Sequence, residues 1–237
     1  LSIDNRTVRL ISLDVTDYGS VWNQQKELQQ KLISQQEGQA LIVCQHSPVI
    51  TVGKSAKSSN VLFDKEFLNQ KGVQIYDIER GGDVTFHGPG QLVAYPILNL
   101  NYFKRDVGWY MRQLEQTVIQ TAAYFGVKST RVEGRTGVWI IPHQNDSFYQ
   151  GCGPNPPRKM ASIGVRLSRW CTMHGVGFNI TSNLDGFNFI NPCGFTDIKM
   201  TSLQDELTTY PVTEELFKTV QSKWIEQFCE VFEIRII

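Results

Sequence analysis

The chain has 237 residues, 41% apolar and 19% charged, enough to build a core without staples. Lys plus Arg and Asp plus Glu both number 23, so no global field points to nucleic acid or an anionic membrane, and neither is expected as a partner. No apolar run approaches the roughly 20 residues of a membrane span, and the start, LSIDNRTVRLISL, has no basic leader before an apolar stretch, so no secretory signal is expected.

In chain order, TVRLISL (7–13) alternates like a strand, and Asp17 opens an amphipathic run with Val21, Trp22, Leu28 and Leu32 on one side. QALIVC (39–44) and PVITVG (48–53) are short β-branched runs that read as buried strands. DKEFLNQKG reads as a short helix closed by Gly72, and VQIYDI (73–78) as another strand. LVAYPILNL (92–100) is a strand in which Pro96 suggests an edge or a bulge. A helix from about Asp106 to Phe125 carries Trp109, Leu114, Val118 and Ala122 at helical spacing and stops at Gly126. GVWII (137–141), MASIGVRL and MHGVGFNI are strands, and PHQNDSFYQGCGPNPPRK (142–159) is a Pro- and Gly-rich loop. From Thr213, read as a cap, EELFKTVQSKWIEQFCEVF makes a long amphipathic helix. With no linker to split it, the chain reads as one α/β domain with a mixed sheet, residues 1–237.

Five cysteines, at 44, 152, 171, 193 and 229, are odd in number and irregularly spaced, which favours free thiols in a reducing compartment. Cys44 and Cys229 have apolar neighbours and read as core. Cys193 in INPCGF lies between Pro and Gly, on a bend, and is the best candidate nucleophile. Lys159 opens a strand of small apolar residues, where it either caps the loop or serves as a base. A free thiol titrates near ~8.5 and a free amine near ~10.4, so a shared proton prefers the amine and the ammonium stabilises the thiolate.

The stretch RGGDVTFHGPGQ is the other candidate site. It lacks the Lys-Ser/Thr of a phosphate loop and the spacing of a dinucleotide fingerprint. Gly81-Gly82 and Gly88-Pro89-Gly90 can be two tight turns, yet turns need neither Arg80 nor His87, and paired glycines let ligand atoms reach main-chain N–H groups. Metal is the rival use of CQH (44–46) and CTMH (171–174). Cys44 and His46 are only one residue apart, tighter than structural zinc pairs, so no metal site is expected. Between Asp146 and Asp185 there is no acidic residue, while Arg158, Lys159, Arg166 and Arg169 fall inside. That span is either a solvated strand face or a docking face for an acidic partner.

Three stretches in order, RGGDVTFHGPGQLVAYPI, RKMASIGVRLSRWCTMHGVGFNI and DGFNFINPCG, closely resemble the signatures of the octanoyl-acyl-carrier-protein:protein N-octanoyltransferases. The resemblance implies the biotin/lipoate protein ligase fold, an α/β (α+β) structure with a mixed, mainly antiparallel sheet flanked by helices. It places the acyl-accepting cysteine on Cys193 and its lysine partner on Lys159. Acyl-substrate contacts fall on Arg80, Gly81, Gly82, Asp83, Val84, Thr85, Phe86 and His87, on Ser162, Ile163 and Gly164, and on Gly175, Val176 and Gly177. The implied partners are octanoyl-acyl carrier protein and the lipoyl domains of 2-oxoacid dehydrogenases and the glycine-cleavage H protein. A monomer in the cytoplasm, or in an organelle matrix if a leader was removed, is expected. No cofactor is needed, since a thioester is already activated.

On this reading the RGG and HGPG turns shed side chains to admit the acyl carbonyl, with their amides and His87 or its neighbours stabilising the oxyanion. Burying an octanoyl tail at ~0.8 kcal/mol per CH₂ is worth roughly 5 kcal/mol. The chain departs from a compact family member at NDSFYQGCGPNPP, where Cys152 is a second candidate thiol. Two other classes use the same letters. An ATP-dependent lipoate or biotin ligase needs no cysteine nucleophile, and a non-catalytic carrier-binding module needs neither Cys193 nor Lys159.

Overall fold

The computed structural model describes residues 5–141, 156–191 and 198–237. In chain order its elements are β1 (Thr7–Thr16), α1 (Tyr18–Ile33), β2 (Gln39–His46), β3 (Val49–Val52), α2 (Lys65–Gln70), β4 (Gln74–Asp77), β5 (Val84–His87) and β6 (Gln91–Ile97). They continue with α3 (Val107–Tyr124), β7 (Thr130–Val132), β8 (Arg135–Ile140), β9 (Arg158–Ser168), β10 (Cys171–Asn179), β11 (Lys199–Met200), α4 (Leu203–Glu206), α5 (Leu216–Phe232) and β12 (Arg235–Ile236). The loop expected over 142–159 lies largely outside the described residues, along with Cys152. Its last two residues, Arg158 and Lys159, already belong to β9.

Two sheets form. The larger runs β12-β1-β2-β6-β10-β9-β8-β7, with β11 added beside β9, and is antiparallel from β2 to β7. The smaller is β4-β3-β5. Period-two alternation explains why the central strands read as unbroken apolar runs. In β2, Leu41 and Val43 face a core shared with α3 and α5, while Ala40, Ile42 and Cys44 face a second core under α1. In β6, Leu92 and Ala94 face the first core, and Val93, Tyr95 and Ile97 the second. The mixed, mainly antiparallel sheet flanked by helices is therefore the architecture expected.

The helix starts follow side-chain capping. Asp17 accepts the Ser20 N–H, Asp64 that of Phe67 and Asp106 that of Trp109. The C-terminal helix differs: it begins at Leu216, and Thr213 supplies only its main-chain carbonyl to the Leu216 N–H. Pro96 also differs from an edge residue, for β6 lies between β2 and β10. The Pro96 carbonyl accepts the Thr172 hydroxyl at 2.7 Å, so its missing N–H also faces β10. There the β6–β10 ladder has already ended at Ala94–Val176, and His174 takes a φ of 61°. The irregularity sits in the partner strand.

That irregularity exposes strand groups which polar residues of α1 then satisfy. Gln25 accepts the His174 main-chain N–H at 3.0 Å, and Gln29 donates to the Cys171 carbonyl at 2.9 Å. Gly175 is needed beside them, because a Cβ there would collide with the Ala94 carbonyl and lie 2.9 Å from the Pro96 ring. Gly175→Ala should therefore lower unfolding free energy by roughly 1–3 kcal/mol, read from urea titration. Gly38→Ala, whose Cβ meets nothing within 4 Å, should stay within about 0.5 kcal/mol of the parent.

Candidate functional site

A cavity of about 480 Å³ opens between the two sheets, within the usual range of small-molecule sites, roughly 300–1,000 Å³. The SIG and GVG motifs, far apart in sequence, are one antiparallel pair in its wall: Ser162 faces Gly177, Ile163 faces Val176 and Gly164 faces Gly175. All six line the cavity, as do Lys159, His87 and the run from Arg80 to Thr85.

Phe86 does not. Strand alternation turns it to the other face of β5, where it packs on Phe187 with ring centroids 5.6 Å apart and joins a core with Ile50 and Leu68. Gly88 and Gly90 are also absent from the wall. A Cβ at Gly90 would sit 2.7 Å from the Thr181 carbonyl, and its N–H is taken by the Gln45 side chain at 2.6 Å. The HGPG glycines thus lack side chains because they pack against the protein, and of the two glycine pairs only Gly81-Gly82 meets the cavity.

The RGG turn is held from both sides. The carbonyls of Arg80, Gly82 and Asp83 accept the main-chain N–H groups of Lys54, Ser55 and Gly53, and Gly81 donates to the Val165 carbonyl at 2.9 Å. The Arg80 guanidinium is buried and donates to the Thr51 carbonyl at 2.8 Å, the Thr51 hydroxyl at 3.0 Å and the Gly81 carbonyl at 3.1 Å. Its planar fork braces the turn across β3. Gly53 and Gly164 make room for it, since a Cβ at either would fall within 3 Å of the Arg80 side chain.

His87 is buried, and burial pushes its imidazole down to about 3, so the ring is neutral. Its Nδ1 lies 2.6 Å from Gln91 Oε1. Gln91 Nε2 donates to the Phe86 carbonyl and to Asn179 Oδ1, which fixes Oε1 as acceptor and His87 Nδ1 as the protonated nitrogen. Nε2 therefore keeps a lone pair and cannot donate to an oxyanion. His46 is oriented likewise, giving Nδ1–H to the Thr16 carbonyl at 2.9 Å and accepting the Tyr95 hydroxyl at 2.8 Å. Tyr18, His46, His87 and Tyr95 form an aromatic group at this end of the cavity, with ring centroids 5.2–6.2 Å apart.

Lys159 is 2% exposed. Its Nζ lies 5.1 Å from the Trp139 ring centroid, and its carbonyl accepts the Thr201 N–H at 3.0 Å. Cys193 falls within 192–197, outside the described residues. Before that segment, Asn191 donates its main-chain N–H to the Asn60 carbonyl, and the Asn60 side chain donates to Asp83 at 2.7 Å. After it, Lys199 and Met200 pair with Arg158 and Lys159. Burial pushes the three described thiols up: Cys44 strongly, Cys171 to about 11, and Cys229.

Two of the arginines in the acid-free span have acidic partners in space. Arg158 pairs with both oxygens of Glu206 at 2.7 Å, and Arg166 with Glu79 at 2.9 Å, partners 48 and 87 residues away. The wall also contains Tyr18, Trp139 and His174, which sequence reading passed over, and Val93 and Tyr95 of the apolar strand after the glycine turns. Only the shared face of Val93 and Tyr95, two apart in a strand, was visible beforehand.

Comparison with known proteins bears on the family and the fold. Residues 17–226 match the model of the lipoyl protein ligase A/B catalytic domain. An octanoyltransferase of Parabacteroides distasonis is 41% identical over 205 residues, 86% of this chain and 87% of that one. One from Flavobacterium psychrophilum is 38% identical over 98% of this chain and all of its own. Among solved structures, the bi-partite lipoate protein ligase of Thermoplasma acidophilum aligns with a TM-score of 0.69 over 98% of this chain and 86% of that chain. A lipoate-protein ligase A bound with ATP reaches 0.66 over 98% and 88%. Both are 13% identical, a likeness of fold.

Two histidines in the wall set a pH dependence. Burial holds His87 at about 3 and His174 at about 4, both below the ordinary 6.5. The unfolded chain therefore binds more protons below pH 6.5, and stability falls as pH drops toward 4 and 3. The slope should reach about 1.4 kcal/mol per pH unit for each histidine. His174→Gln should flatten the stability–pH curve between pH 6 and 4, measured by urea unfolding. An unchanged slope would show that this ring is protonated in the fold.

Proposed function

We propose a two-step octanoyl transfer through a cysteine thioester as the reaction of this chain, which belongs to the lipoyl protein ligase A/B catalytic domain family. Relatives named octanoyltransferase, 38–41% identical over most of both chains, support octanoyl transfer over ATP-dependent ligation. The observation that carries the mechanism is the buried amine of Lys159 in the cavity wall, beside the strand that follows the Cys193 segment.

Cys193 is the nucleophile. The thiols of Cys44, Cys171 and Cys229 are pushed up by burial and make poor thiolates. The flanks of 192–197 are tied to Asp83 on one side and to Lys159 on the other, the two walls an acyl thioester would lie between. Lys159 takes the thiol proton, and the thiolate attacks the carrier's thioester carbonyl. Its oxyanion is held by main-chain N–H groups of the turn after Arg80 other than that of Gly81, which the Val165 carbonyl takes. The tetrahedral adduct expels the pantetheine thiolate, which regains its proton from the Lys159 ammonium. A lysine amine of the acceptor domain then gives a proton to Lys159 and attacks the acyl-Cys193 carbonyl, and the Cys193 thiolate leaves. Arg80 braces the turn, Ser162 to Gly164 and Gly175 to Gly177 wall the acyl path, and Tyr18, Val93 and Tyr95 line the cavity beyond them.

The donor is octanoyl-acyl carrier protein, and the acceptors are lipoyl domains of 2-oxoacid dehydrogenases and the glycine-cleavage H protein. The reading is of a monomeric single domain working in the cytoplasm or an organelle matrix. No helix among the described residues is long and apolar enough to cross a membrane. Arg158 and Arg166 already hold Glu206 and Glu79, so they add less to an acidic partner's docking than their sequence suggests.

Exposure to octanoyl-carrier protein without ATP should add one octanoyl mass to the intact protein, mapping to Cys193. An adduct on Cys152 or Cys171, or strict ATP dependence, overturns the assignment. Lys159→Ala should slow both half-reactions by roughly 10²–10⁴-fold. Lys159→Arg should restore little, because a guanidinium steadies a thiolate but accepts no proton near neutrality. Arg rescue of the first half-reaction would instead make the role of Lys159 electrostatic.

A further inference from the structure

Helix α3 carries a carboxylate inside the protein. Glu115 is 1% exposed, and both of its oxygens are engaged. Oε2 accepts from Arg112 at 2.6 Å and from Arg131 at 3.0 Å, which balances a charge that burial makes costly. Arg131 is itself held by the Arg112 carbonyl and the Gln116 side chain. Oε1 turns the other way and accepts the main-chain N–H of Gly137 at 3.0 Å.

Gly137 is the link to the cavity. Its φ of 118° is a conformation open in practice to glycine alone. A Cβ there would lie 2.7 Å from Cε of Lys159 and 3.5 Å from its Nζ, and would collide with the Ala161 carbonyl. The β8–β9 ladder slips at this point: Val138 faces Ala161, but Trp139 faces Lys159, so β9 holds one extra residue. Such a bulge re-aims the side chains beside it. The Lys159 stem lies against the Gly137 backbone, with its amine near the Trp139 ring.

We propose that Glu115 is a positioning residue for Lys159: by holding the Gly137 amide it fixes the bulge against which the lysine lies. The inference rests on the reading of Lys159 as the group that moves the proton. Glu115 reaches no reacting atom and acts through one peptide group. Without that hydrogen bond the peptide before Gly137 loses its buried acceptor, and the chain can relax from its positive φ. The lysine seat moves with it, and a displacement of about 1 Å at a reacting group costs up to roughly 10²-fold in rate.

Glu115→Gln tests this at constant volume, since its amide offers one acceptor oxygen where three N–H groups were served. In a variant whose thermal unfolding stays cooperative, kcat for acylation from a small octanoyl thioester should fall roughly 10- to 100-fold. KM should change little, and the pH midpoint of acylation should move from the parent value. Gly137→Ala should do the same, and the double variant should be no slower than the worse single one, because both act through one contact. Glu115→Asp keeps a charge for the arginines while withdrawing from Gly137, and should reproduce the loss even if Glu115→Gln fails to fold. Folded Glu115 variants with parent kcat and pH profile, or losses that multiply in the double variant, overturn the proposal while Lys159→Ala remains slow. Parent-like turnover in Lys159→Ala overturns the base assignment itself, and the positioning role with it.

Discussion

The antiparallel ladder between β9 and β10 holds Ser162 opposite Gly177 and Gly164 opposite Gly175, and the other walls of the cavity take their places from it. Glycine at these positions is required by protein atoms more than by ligand atoms. Gly164 admits the Arg80 stem, Gly175 admits the β6 backbone, and Gly177 admits the Gln91 side chain that orients His87. Each glycine therefore brings one more element up to the ladder. A larger residue at any of them would push the wall back and move the RGG turn, β6 or His87 with it.

Buried polar groups in this protein work mainly by holding backbone. Arg80 donates to the carbonyls of Thr51 and Gly81, and Gln91 ties His87 to Phe86 and Asn179. Glu115 takes the amide of Gly137, and Gln25 that of His174. The common cause is irregular strand geometry at the site: positive φ at His174 and Gly137, and a slipped register beside Lys159. Irregular strands leave main-chain groups that no ladder satisfies, and side chains must complete them in the interior. Such bulges are a recurrent means of aiming side chains at a cavity.

Charge is handled in the same way. Glu206 meets Arg158, Glu79 meets Arg166, and Glu115 meets Arg112 and Arg131. Lys159, next to Arg158, lines the cavity. The result is a cavity lined by the Lys159 side chain and by His87 and His174, which burial keeps neutral.

What the sequence by itself determined is local. Period-two and period-3.6 patterns placed most strands and helices within a few residues, because burial of one face is written into neighbouring residues. Asp17 and Asp106 marked helix starts, since capping involves groups three residues apart. Of the described residues that the family resemblance picked out, all line the cavity except Phe86, which strand alternation turns into a neighbouring core. Only the tertiary structure decided the rest. Glycines in RGG and HGPG look alike in sequence, yet one pair faces the cavity and the other packs on protein, Gly88 on Phe86 and Gly90 on Thr181. His87 has the composition of an oxyanion donor, but Gln91 and burial make it a neutral acceptor. Arg166 and Arg158 of the acid-free span meet Glu79 and Glu206, and Glu115, set among the apolar residues of α3, reaches Lys159 through Gly137. In each case the deciding partner lies across a sheet, and which strand pairs with which, in what register, is fixed by packing of the whole chain rather than by any neighbour in sequence.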